Sequence, residues 1–174
     1  MERHLFSPGI LNLMGAASDH HATFGDPFAG GDLFKVYSRR LFRRSDFDEL
    51  HATVGRGDSD ADGAESTWTP DFQFLHKRSG HIFWVECQFR SDYYLDKVDW
   101  YRKDSLERYK RFQEKVKPQK VFFITGFGGR PMKPSYMFCM TLDEMVSNGT
   151  NPDILERHER DPARPFDFKG GRIV

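Results

Sequence analysis

The chain has 174 residues, 38% of them hydrophobic and 15% aromatic, enough for one buried core and too few for two well-packed domains. Lys+Arg and Asp+Glu balance at 26 each, so overall charge selects no partner and only its distribution can. No run approaches the roughly 18 apolar residues of a membrane span, no secretory signal opens the chain, and Cys87 and Cys139 sit in apolar runs without metal-ligand spacing. A membrane protein and a disulfide scaffold are therefore excluded, and a cytoplasmic, reducing setting is expected.

Residues 1–31 are rich in Gly, Ala, Ser and His and read as a flexible N-terminal arm. A helix is predicted from Asp32, taken as its N-cap after Gly30 and Gly31, with Phe34, Tyr37 and Leu41 at helical spacing. Arg39, Arg40, Arg43 and Arg44 follow toward its C-terminus, where the helix dipole favours cations. "FDELHATV", 47–54, reads as a strand and "GRGDSDADGAEST" as a polar loop. Within that loop "DSDADG", 58–63, imitates the start of a calcium site, but its twelfth position is Thr69 where a bidentate Glu is needed.

Two strands, 71–76 and 81–89, flank the turn "KRSG". Val98, Tyr101, Ser105, Tyr109, Phe112 and Val116 then form the stripe of an amphipathic helix stopped by Pro118. "KVFFITGFGG", 120–129, is a continuous apolar run that suggests a buried central or parallel strand. "SYMFCMTLDEM" predicts another strand entering a turn or helix, and residues 151–174 read as a peripheral tail around a body of 32–150.

If "KRSG" closes the hairpin symmetrically, His76 faces His81 and Asp71 falls opposite Glu86. Directly opposed side chains have Cβ atoms roughly 4.5–5.5 Å apart, a distance at which two carboxylates repel. Alternation puts Glu86, Gln88 and Arg90 on one strand face and Phe83, Val85, Cys87 and Phe89 on the other, which is expected to be the core face. An acid, an amide and a guanidinium beside Asp71 suit a divalent metal and a phosphate, since Mg²⁺ takes carboxylate oxygens and water. The plainer alternative is that both acids form structural salt bridges with Arg90 or with the arginines of the first helix. Trp84 and Phe89 read as core or lid.

"PD" at 70–71, a short hairpin, "ECQ" at 86–88, and a helix before a buried strand resemble the PD-(D/E)xK nuclease superfamily over about residues 32–129. The resemblance implies an α/β fold, a mixed central sheet flanked by helices, restriction-endonuclease-like. It also implies that Asp71 and Glu86 bind Mg²⁺, with Mn²⁺ as a substitute, in a nuclease acting on DNA. Gln88 stands where the superfamily has a lysine. An amide can orient water but supplies no charge, so a compensating cation is expected, with Arg90 favoured and Lys97 and Lys103 behind it. Family members also carry an acid on the first helix, for which Asp32 and Glu49 are candidates, while Lys35 occupies a position where an acid would fit better. Lys97, Arg102, Lys103, Arg108, Lys110 and Arg111 give the second helix a basic surface suited to a phosphate backbone, and "SLERY" places Ser105 and Tyr109 near the expected site. The rival is a catalytically inactive module of the same fold that binds nucleic acid or a protein partner. Whether a homodimer spans a duplex is left open.

Overall fold

A computed structural model describes residues 27–53, 69–91, 103–148 and 156–174. The first helix, α1, spans Pro27–Leu41, starting five residues before the predicted N-cap. Pro27 suits a first turn, where its missing N–H leaves nothing unsatisfied. Gly30 and Gly31 lie inside the helix despite their weak helix propensity.

Strands β1 (Phe47–Ala52), β2 (Phe72–His76) and β3 (His81–Arg90) follow, then helix α2 (Lys103–Val116). After it come β4 (Lys120–Arg130), β5 (Lys133–Thr141), helix α3 (Leu142–Asn148) and the short strand β6 (Glu159–Arg160). These six strands form one mixed sheet in the order β1-β2-β3-β4-β5-β6. Only β3 and β4 run parallel, and α2 lies in the connection between them. A separate hairpin, β7 (Phe168–Lys169) with β8 (Arg172–Ile173), closes the chain.

The protein is therefore mixed α/β, and the run 120–129 is the buried strand its composition predicts, with Val121 through Phe127 all buried. Both sheet faces are covered, which departs from the expectation of one core face. On one side Phe34, Leu41 and Phe42 of α1 pack over Phe74, Phe83, Val85, Cys87 and Ile124. On the other, Tyr109 of α2 and Leu142 and Met145 of α3 pack over Trp84, Val121, Phe123 and Phe138. Trp84 is thus core, its indole N–H donating to Gln119 Oε1 at 2.8 Å, and Phe89 packs against the α1-side cluster.

Phe34 sits directly over Gly126, where a Cβ would lie 2.4 Å from the ring, so that position of β4 admits no side chain without displacement of α1. The tail, expected at the periphery, is part of the core: Phe168 stacks on Phe83 at 5.2 Å, and Phe42 lies between Phe74 at 4.2 Å and Phe166 at 4.5 Å. Aromatic residues spaced through a Pro- and Gly-rich segment gave no period to read, yet each fills the α1 side of the sheet. Among the described residues no helix is long and apolar enough to cross a membrane.

Candidate functional site

The β2–β3 pairing runs unbroken from His76 opposite His81 to Phe72 opposite Val85, so the next position outward opposes Asp71 and Glu86, the register expected from the symmetric turn. Asp71 lies just before β2, where the chain bends, and is 5% exposed. Its Oδ2 accepts the Cys87 backbone N–H at 2.8 Å, so the carboxylate takes the place of a ladder carbonyl where the strand has ended. Its Oδ1 lies 2.7 Å from the ammonium of Lys35 on α1. Glu86 is half-buried on the α2 side of β3. The Tyr109 hydroxyl and the backbone N–H of Asp71 lie near enough to favour the charged form of its carboxyl.

The electrostatics follow from this packing. Burial first, and the Asp71 charge second, push the Glu86 carboxyl up to about 8, against the opposing pull of Tyr109 and Lys35. Burial likewise raises Asp71, although Lys35 and the Cys87 N–H both favour its charged form. For Lys35, burial acts to lower the ammonium, but Asp71 beside it, with Glu86 and Asp32 behind, outweighs burial and raises it. The Cys87 thiol is pushed well up by burial and by both carboxylates, so it remains protonated and serves as packing rather than as a nucleophile.

Sequence reasoning located both acids and missed the cation that pairs with Asp71. Lys35 occupies the place where an acid was sought, and the signal lay in its spacing: Lys35 and Ser38 of α1 and Phe42 just past it follow at steps of three and four, and the latter two are buried, so Lys35 approaches the sheet. Of the acids sought on the first helix, Asp32 is 3.7 Å from the Lys35 ammonium. Glu49 is elsewhere, in a two-pronged pair with Arg39 at 2.6 Å.

Gln88 is half-buried, two residues beyond Glu86 on the same face, in register with Thr125, whose buried hydroxyl has no hydrogen-bond partner among the described residues. Arg90 ends β3, exposed, its guanidinium 3.5 Å from Gln88 Oε1. Of the "SLERY" pair, Tyr109 reaches Glu86 while the Ser105 hydroxyl accepts from Arg108 at 3.2 Å. Lys110 pairs with Glu107 at 2.7 Å, and Arg111 is exposed on the same helix. Lys97 and Arg102, together with the side chain of Lys103, lie outside the described residues. Among the described residues no third His, Cys, Asp or Glu completes a metal cluster with the two acids.

Two hard carboxylates at neighbouring register positions are the ligand type of a hard divalent cation, and Mg²⁺ sites use one or two side chains with water in the remaining positions. Burial and the neighbouring Asp71 charge favour a protonated Glu86 at neutral pH, so the pair then carries about the one negative charge that Lys35 offsets, and a cation bound there would displace that proton. No protein-family model matches the chain, and a search of curated proteins found no match.

Proposed function

We propose that the chain is a metal-dependent nuclease of the restriction-endonuclease-like fold, cytoplasmic, that hydrolyses DNA phosphodiester bonds at Asp71 and Glu86. Mg²⁺ is the metal of this reading, and Mn²⁺ its substitute. One observation carries it: the opposed acids of the hairpin share their site with Lys35, 2.7 Å from Asp71, which supplies from α1 the positive charge that Gln88 lacks. The order helix, strand, hairpin, helix, parallel strand around that pair supports the same fold.

In this reading Asp71 and Glu86 hold the metal. Bound there, the metal supplies an activated water and neutralises charge on the phosphodiester. Lys35 stabilises negative charge that develops on the phosphate, in a half-buried place where that charge is poorly screened. Tyr109 and the Asp71 N–H fix the orientation of the Glu86 carboxyl. The Gln88 amide orients the attacking water, and Arg90 is a second cation on the same face. A homodimer presenting two such sites across a duplex is compatible with the proposal.

The second reading, a non-catalytic module that binds nucleic acid or a protein partner, draws on a different observation. Both Asp71 oxygens already have partners within the protein, so the site is electrostatically supported without a metal. Calorimetric titration of Mn²⁺ into wild type and Glu86→Gln, paired with cleavage of plasmid and single-stranded DNA in Mg²⁺, separates the two. Metal binding lost in the variant together with cleavage by wild type supports the nuclease. Absence of metal binding in wild type sinks it and leaves the binding module.

A further inference from the structure

We propose that the groove between the C-terminal half of α1 and the edge strand β1 is the surface that receives the phosphate backbone of a nucleic acid, leading it to the Lys35–Asp71–Glu86 site. The inference rests on the nuclease reading for what lies at the end of the groove, but the surface stands on its own charge and geometry.

The groove, about 850 Å³, is lined by five cationic side chains, Arg39, Arg40, Arg43, Arg44 and Lys77, and by only two carboxylates, Asp48 and Glu49. Both carboxylates are already engaged: Glu49 holds Arg39 in its fork, and Asp48 lies 3.0 Å from Lys77. Arg43 pairs with Asp46 at 3.0 Å. Arg40 and Arg44 are exposed, and among the described residues no carboxylate pairs with either. The groove thus keeps two guanidinium groups directed at solvent over a wall of Phe42, Phe47 and Phe74, in a chain whose overall charge is zero. Guanidinium groups bind phosphate oxygens through paired N–H donors, which makes a polyphosphate the complementary ligand.

Position links the groove to the site. Lys35 and Arg39 are four residues apart on α1, one turn or about 5.4 Å along the axis, and so face the same side. The first meets Asp71 beside β2 and the second meets Glu49 on β1. Arg40 follows Arg39 directly and Arg44 lies just beyond the C-terminus of α1, so a strand laid over them lies at the Arg39–Glu49 end of the groove, about one helical turn from Lys35. The surface of α2 differs: Lys110 and Lys117 are each paired with a glutamate of their own helix, and the hollow beside it is lined by Glu114 and Asp143 against Lys110 alone.

The test uses a fluorescein-labelled oligonucleotide, single-stranded and duplex, with the full chain in EDTA, read by polarisation across a salt series. Arg40→Gln/Arg44→Gln should weaken binding at least tenfold and flatten the log–log salt slope by nearly two, since each phosphate contact contributes about 0.9 for B-DNA. Lys110→Gln/Lys117→Gln should leave both unchanged, and an unaltered melting temperature confirms that each variant is folded. Loss of affinity in the Arg variant, with no Mg²⁺-dependent cleavage by wild type, would uphold the surface and sink the nuclease. Cleavage by wild type with unchanged affinity in the Arg variant would do the reverse. Tighter binding of polyglutamate than of either oligonucleotide, lost in the same variant, would assign the groove to an acidic protein segment and overturn the proposal.

Discussion

Replacing Lys35 with methionine should destabilise the protein most at alkaline pH and least in acid. Methionine keeps most of the apolar stem, so the substitution isolates the charge. In wild type the ammonium lies 2.7 Å from Asp71, the two side chains being 22% and 6% exposed. Removing one partner of a buried pair leaves the other charge uncompensated, typically at a cost of 3–5 kcal/mol, and the residual exposure of Lys35 places the loss near the lower end, at about 3 kcal/mol. Asp71 can escape this cost by taking a proton. Burial already raises its carboxyl, and loss of Lys35 raises it further. A carboxyl whose folded-state pKa exceeds its unfolded value favours the folded state in acid, and that contribution is lost as pH rises through the folded value. The deficit of Lys35→Met relative to wild type should therefore be smaller at an acidic pH than at an alkaline one in urea titrations. Lys35→Met/Asp71→Asn should recover most of the alkaline loss, because an amide oxygen still accepts the Cys87 N–H without a charge to strand. Equal losses at both pH values, or a double variant no more stable than the single one, would refute the buried pair as the origin of the effect.

Metal affinity should depend on pH through Glu86. Since its carboxyl is held at about 8, cation binding must displace a proton below that value, so Mn²⁺ affinity should rise about tenfold per pH unit up to it. Calorimetry in buffers of different ionisation enthalpy counts that proton, and pH-independent affinity would contradict the assignment. Tyr109→Phe removes a donor to Glu86, so it should cost about 1 kcal/mol and move the pH profile of metal binding to higher pH. An unshifted profile would place Tyr109 in packing only. Gly126→Ala should destabilise by about 1–3 kcal/mol through collision with Phe34. Adding Phe34→Leu should make the combined loss smaller than the sum of the two, and simple additivity in denaturant titrations would remove the contact from the explanation.

The hairpin was legible because its information is local. A four-residue turn fixes the register, and the register fixes that Asp71 meets Glu86. The buried strand 120–130 declared itself by an unbroken apolar run. What sequence could not supply was the partner of the pair, since Lys35 lies 36 residues before Asp71 and the contact depends on how α1 crosses the sheet. The start of α1 was misplaced because propensity penalises Gly30 and Gly31, yet the helix runs through both from Pro27. The role of the tail was hidden for a related reason: Phe166 and Phe168 are isolated aromatics without period, and only the open face above Phe42 and Phe83 gives them a place.

The carboxylate of Asp71 ends the β2–β3 ladder as well as facing Glu86, and this double duty governs how any mutant of the site must be interpreted. Alanine there would erase a charge and unpair a backbone donor together, so loss of metal binding in Asp71→Ala would not distinguish a lost ligand from a frayed hairpin. Asparagine separates the two, because it retains an oxygen for Cys87 N–H and discards only the charge. The same coupling restrains substitution whatever the site does: the Cys87 N–H needs an acceptor at position 71, so an acid or amide is favoured there on structural grounds alone.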